Sequence, residues 1–146
     1  MRIAVGADHA GFLLKANLVE MLGELGHEVT DLGCHSEDRV DYTDFAIPVA
    51  QRVARGEADR GLIICGTGVG SCIAANKVAG VRGAVLSEPY SARMTRAHND
   101  ANVLCLGARV VGIDVARDCL RAFLDTPFEG GRHSERLAKI AALEHM

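Results

Sequence analysis

The sequence predicts a Rossmann-like, doubly wound α/β fold: a five-stranded parallel sheet in three αβα layers, with an extra helix at the C-terminus. Three observations predict it. Five short apolar runs recur along the chain, and segments with apolar residues at helical spacing separate them. Glycine closes most of these segments. No linker, repeat or low-complexity tract breaks the alternation, so residues 1–146 are expected to form a single domain. Strands alternating with helices imply a parallel sheet covered on both faces, with right-handed crossovers.

The elements follow in order. Arg2–Gly6 is a short apolar run closed by glycine. Gly11–Leu25 carries Leu14, Leu18, Met21, Leu22 and Leu25 on one helical face, and Gly26 stops it. His27–Leu32 alternates as a partly exposed strand, and Gly33–Tyr42 is a polar loop. A second helix is predicted over Thr43–Arg55, with Ala46, Val49, Ala50 and Val53 inward; Pro48 implies a kink there or a later start. Gly61–Cys65 is the third strand, Val69–Val78 the third helix and Arg82–Leu86 the fourth strand. Ser87 is the predicted N-cap of Glu88–His98, whose first turn tolerates Pro89. Asn102–Leu106 is the fifth strand and Ile113–Leu124 the fifth helix. A last helix, Ser134–His145, follows the breaker Gly130-Gly131 and has no sixth strand to reach, so it is free to pack on another subunit.

Composition narrows the function classes. The chain has 49% hydrophobic and 24% charged residues, typical of a soluble protein. A net charge of -3 argues against non-specific nucleic-acid binding, and the absence of Trp against base-stacking platforms. No apolar run is long enough for a membrane span, and the start lacks a signal-peptide pattern, so a cytoplasmic protein is expected. Five cysteines, never spaced C-x-x-C, argue against a disulfide framework and a zinc knuckle. All but Cys65 read as small buried hydrophobes.

Chemistry gathers at the predicted carboxyl edge of the sheet, where such folds bind ligands. Asp8 and His9 follow the first strand, Cys65 through Ser71 the third, and Arg109 the fifth. In Cys65-Gly66-Thr67-Gly68-Val69-Gly70-Ser71, a thiol precedes three alternating glycines and a helix start. Uncovered amides and a helix N-terminus suit one small anion or a reaction oxyanion. The loop is no P-loop, because Lys77 lies too far along the helix, and no dinucleotide fingerprint follows the first strand.

Arg93, Arg96, His98 and Asn99 form a second cluster. His98 and Asn99 precede the fifth strand, so they belong to the amino end of the sheet, opposite Cys65. Any functional role would therefore be in a neighbouring subunit's site, whereas His98-Asn99-Asp100 also suits a simple helix-terminating turn. Arg132, His133 and Arg136 form a third cluster; the two arginines share a helical face and suit either a solvated surface or an anion.

The chain resembles the ribose-5-phosphate isomerase B family, which includes galactose-6-phosphate isomerase subunits. The resemblance is carried by Gly6–Gly11, Asp41-Tyr42, Cys65–Gly70, Ala74–Lys77, Ser87–Ala92, His98–Leu104, Gly107–Gly112 and Glu129–His133. It implies a metal-independent, cofactor-free aldose–ketose isomerase acting on ribose 5-phosphate and ribulose 5-phosphate through an enediolate. It further implies Cys65 as the base, and Thr67 with the Gly66, Gly68 and Gly70 amides as the oxyanion site. His98 would open the furanose with help from Asp8. Tyr42 and Asn99 would contact the sugar, Ser71 would line the same loop, and His9, Arg109, Arg132 and Arg136 would hold the phosphate. Some members carry a glutamate at the position of Ser71 and lack the cysteine; this chain is similar to the cysteine branch. The implied partner is a second copy, in a homodimer with shared sites that can pair into a dimer of dimers. A six-carbon sugar phosphate as substrate, and a non-catalytic sugar-phosphate-binding module, are the competing readings.

Overall fold

The computed structural model describes residues 1–146. Strands β1 (Arg2–Ala7), β2 (Glu28–Asp31), β3 (Arg60–Cys65), β4 (Gly83–Val85) and β5 (Val103–Gly107) form one parallel sheet in the order β2-β1-β3-β5-β4. Helices α1 (Phe12–Glu24), α2 (Thr43–Ala54), α3 (Val69–Asn76), α4 (Pro89–Asn99) and α5 (Ile113–Asp125) connect or follow the strands. α6 (Arg132–Ala141) ends in a 3-10 turn, Ala142–His145. No helix is long and apolar enough to cross a membrane.

Side-chain alternation along the strands divides the interior in two. Ile3, Val5, Leu62, Ile64, Leu104 and Leu106 face a core with α1, α4 and α5, closed by residues such as Leu18, Leu22, Ala92, Leu120 and Phe123. Ala4, Ile63, Val103 and Cys105 face a second core with α2 and α3, where Ala46, Val49, Ala50 and Ala75 meet them. Cys65 shares the alternation of Ile63 and so turns toward α3. The chain leaves β1 for β2 on one side and reaches β3 on the other. This reversal opens a crevice at the carboxyl ends of β1 and β3.

Two local expectations are corrected, at α4 and the last helix, and the alternatives at Pro48 are resolved. Glu88, not Ser87, caps α4: it is extended (φ -157°, ψ 155°), and its carboxylate accepts the Ser91 N–H at 2.9 and 3.0 Å. The residue before a proline is pushed out of the helical region, which fixes the cap at 88. α2 runs through Pro48 from Thr43 without a later start. The ring removes one helical donor, but burial of Ala46, Val49, Ala50 and Val53 holds the helix on both sides of it. The last helix starts earlier than predicted, at Arg132, and tightens to 3-10 geometry at Ala142; only His133 of it is buried.

Candidate active site

β3 delivers Cys65 to the crevice, and Gly68 then turns the chain into α3. Gly68 is left-handed (φ 81°), and a side chain there would also meet Leu106 at 2.9 Å. Its N–H donates to Cys65 Sγ at 3.1 Å. Thr67 Oγ1 accepts the Val69 N–H at 3.3 Å. The end of β5 closes against this loop, where a Cβ on Gly107 would lie 2.6 Å from the Thr67 carbonyl. The thiol is thus fixed beside the amides of a helix N-terminus.

The other carboxyl-edge residues converge on it. Asp8 is 8% exposed; its N–H donates to the Ile64 carbonyl at 3.2 Å, and its Oδ1 accepts the Gly11 N–H at 3.1 Å. His9 Nδ1 accepts the Val40 N–H at 3.1 Å. That bond requires an unprotonated Nδ1, so the ring proton sits on Nε2 as a donor. Tyr42 lies over Gly70, where a Cβ would be 2.7 Å from its ring. Arg109 donates its N–H to the Gly66 carbonyl at 3.0 Å, and its guanidinium lies 3.7 Å from where a Gly66 Cβ would be. Ser71, one turn into α3, faces the core: it is fully buried, and its hydroxyl reaches no partner.

The loop bearing Tyr42 has an anchor that sequence reasoning missed. Lys15, 3% exposed, donates to both Asp31 oxygens at 2.8 and 2.7 Å, and Asp31 Oδ1 also accepts the Gly33 N–H at 2.9 Å. A buried ammonium satisfied by a bidentate carboxylate holds the end of β2 and the start of the loop in place.

His98, Asn99, Arg132 and Arg136 lie elsewhere. His98 is in the last turn of α4, and Asp100 (φ 45°) ends that helix in a left-handed turn before β5 begins. A five-residue strand spans about 13 Å, so β5 separates this group from the Cys65 edge. Arg96 of the same cluster is structural: it is 3% exposed and bonded to Asp100 and the Ala101 carbonyl. Asn99 lines a groove of about 710 Å³ between α4 and α6, remote from the Cys65 loop. Arg132 and Arg136 are exposed, one helical turn apart, and neither is paired with a carboxylate. The predicted residues therefore fall into two sets at opposite ends of the sheet.

The second set includes two residues whose place was not legible in the chain. His133 stacks on His98, with ring centroids 4.3 Å apart and planes at 16°. Glu129 Oε2 lies 3.5 Å from His133 Nε2 and 4.0 Å from His98 Nε2. Such a trio offers metal-ligand atoms within 4.8 Å of one another. Yet offset parallel rings cannot both aim their in-plane lone pairs at one ion, so this arrangement suits a shared carboxylate better than chelation.

One cysteine expectation is also corrected. Cys34, Cys105 and Cys119 are buried, but Cys72 on α3 is partly exposed. The buried Cys105 thiol donates to it, Asn76 Nδ2 donates to its sulfur at 3.4 Å, and these bonds draw the Cys72 thiol down to about 7. The hydrogen bond to Cys72, and then burial, push Cys105 up, and burial pushes Cys119 up to about 11. The thiolate is the reactive form. Alkylation of the native protein is therefore expected at Cys72, with a rate that rises as pH passes through about 7, and not at Cys105 or Cys119. Peptide mapping after iodoacetamide checks this; labelling at Cys119 ahead of Cys72 would contradict it.

Comparison with known proteins bears on the whole chain. The model of the family described as Ribose/Galactose Isomerase matches residues 3–140. Ribose-5-phosphate isomerase B of Escherichia coli (strain K12) is 53% identical over 98% of this chain and 96% of its own. D-erythrulose-4-phosphate isomerase of Pectobacterium atrosepticum is 40% identical over 99% of this chain and 96% of its own. Among solved structures, the ribose-5-phosphate isomerase B of Clostridium thermocellum superposes with a TM-score of 0.98 at 51% identity, covering 99% of this chain and 98% of that one.

Proposed function

The chain belongs to the ribose/galactose isomerase family and is an aldose–ketose isomerase; from that premise we propose that it interconverts ribose 5-phosphate and ribulose 5-phosphate, with Cys65 as the base and backbone amides, rather than a metal, holding the oxyanion. The observation that carries this reading is the Cys65 thiol fixed by the Gly68 N–H at the mouth of the glycine loop.

The reaction then runs as follows. His9, through its Nε2–H, and Arg109 grip the phosphate, which fixes the reacting carbons at the loop. Ring opening breaks C1–O4: O4 takes a proton from His98, and the O1 proton passes to Asp8 as C1 becomes a carbonyl. The Cys65 thiolate removes the C2 proton. The charge that develops on O1 is received by Thr67 and the Gly66 and Gly70 amides, while the Gly68 N–H, expected from the resemblance to join them, is taken by the sulfur. The O2 proton then passes to O1 as C2 becomes the carbonyl, and Cys65 returns its proton to C1, which gives the ketose. Tyr42 and Asn99 contact the sugar, and Ser71 closes the loop from below.

Because His98, Asn99, Arg132 and Arg136 lie far from Cys65 in their own chain, the reading requires a homodimer. A two-fold pairing sets each group against the partner's Cys65 loop, twice over. Exposed apolar residues support it: Val69, Ile73, Val110 and Ile113 rim the Cys65 edge, while Ile140 and Leu143 lie bare on the C-terminal segment. Arg132 and Arg136 lack carboxylate partners and are free to meet a phosphate. Unpaired thiols are consistent with a reducing compartment such as the cytoplasm.

The substrate assignment is tested by turnover on a panel. Ribose 5-phosphate is expected to exceed allose 6-phosphate, galactose 6-phosphate and erythrulose 4-phosphate in kcat/KM by about tenfold or more, since one carbon shifts the base relative to the phosphate grip. A higher value for another member would reassign the substrate. Binding of all four with turnover of none would leave a binding module.

A further inference from the structure

Three titratable side chains meet at the amino end of the sheet: His98 from α4, His133 from α6, and Glu129 from the segment between α5 and α6. We propose that Glu129 and His133 are positioning residues for His98, holding the plane of its imidazole and balancing its charge so that Nε2–H is presented to the ring oxygen of the sugar. The proposal rests on the isomerase reading above, in which His98 opens the furanose bound by a second chain.

The geometry carries it in three steps. His133 is 6% exposed, so its ring is held by the protein and serves as a fixed platform; His98, more exposed, lies flat against it at 4.3 Å. Stacking fixes the plane of His98 but not its charge. Glu129 supplies the charge. Its carboxylate lies 4.0 Å from His98 Nε2, so a negative charge faces the ring edge from too far away to take its hydrogen bond. The Nε2 proton stays free for O4. Since Glu129 is exposed, the edge it faces is turned to the surface, where the partner chain would bring the sugar.

The backbone ties this array to α4 rather than to the free end of α6. The Glu129 N–H donates to the Ala97 carbonyl at 3.0 Å, one residue from His98. Gly130 (φ 68°) and Gly131 (φ 57°) then reverse the chain in left-handed conformations, and His133 N–H closes the turn on the Gly130 carbonyl at 3.1 Å. L side chains rarely adopt either conformation, so this reversal depends on the glycine pair. When C1–O4 breaks, its electron pair remains on O4 and takes the His98 proton. The imidazole becomes neutral, and the O1 proton leaves to the Asp8 carboxylate of the partner subunit.

The test separates ring opening from proton abstraction. Ribulose 5-phosphate carries its phosphate on O5 and cannot close a furanose ring, so deuterium exchange from D2O into its C1 reports the Cys65 half alone. Turnover of ribose 5-phosphate requires both halves. Glu129→Gln is expected to cut ribose 5-phosphate turnover about tenfold while leaving exchange within about twofold, with recovery in Glu129→Asp. His133→Ala is expected to show the same split, and His133→Phe, which keeps the stacked plane, a smaller loss. Equal falls in turnover and exchange would reduce both residues to a structural role and overturn the proposal, as would no fall in either. His98→Ala distinguishes the two levels. If it shows the split and Glu129→Gln does not, only the positioning role fails. If His98→Ala shows no split, the ring-opening reading fails with it.

Discussion

Cys65→Ala is expected to lower ribose 5-phosphate turnover by a factor of about 10³ or more, and to abolish deuterium exchange into ribulose 5-phosphate, while fold and phosphate affinity persist. The contrast of magnitudes makes the result readable. The side chain is small and 4% exposed, and its loss strands one donor, the Gly68 N–H. An unmade hydrogen bond costs about 1–3 kcal/mol, which a folded domain can absorb. A 10³-fold loss corresponds to about 4 kcal/mol in the barrier, and it falls on the chemical step alone. In the proposed reading the phosphate is held by His9 and the arginines, none of which hydrogen-bonds the thiol, so the affinity for inorganic phosphate should move little. Stopped-time assays of both reactions, alongside thermal unfolding and phosphate titration, check this. Turnover at the wild-type rate would place the base elsewhere in the loop.

The fold was largely legible because its information is local. Apolar runs such as Leu62-Ile63-Ile64 are buried on both faces, and the leucines of α1 recur at helical spacing. Strand order was not legible: β5 pairs with both β3 and β4 through long-range hydrogen bonds, and β4 is only three residues long. The carboxyl-edge half of the site could be read in sequence, since any residue following a parallel strand emerges at that edge. His98 could be assigned to the opposite end by the same rule. What stood around it could not. Glu129 reaches His98 through its backbone bond to Ala97, and His133 does so because two left-handed glycines fold the tail back onto α4. Local rules also misjudged Glu88, where the following proline decided the cap, and Cys72, whose exposure depends on how α3 sits on β5.

The second large effect concerns the division of the site between chains. If Cys65 and His98 act in one site from different subunits, a dimer of one Cys65→Ala chain and one His98→Ala chain holds one site with both defects and one with neither. Each parent homodimer has two damaged sites. Random pairing of the two variants at equal amounts makes half the dimers mixed, and each mixed dimer has one intact site, so the mixture should recover about a quarter of wild-type turnover. The topology underlies the claim: β5 stands between the two residues within one chain, and the exposed arginines of α6 form no ion pair in their own. A control pair from the same half, Cys65→Ala with Asp8→Ala, should recover much less: a mixed dimer then carries one defect in each site, and none is intact.

Co-expression of Cys65→Ala with His98→Ala, followed by assay of the purified mixture, is the most direct measurement. Recovery of about a quarter of wild-type turnover is the predicted result, and a mixture no more active than its parents would show that each site is built within a single chain.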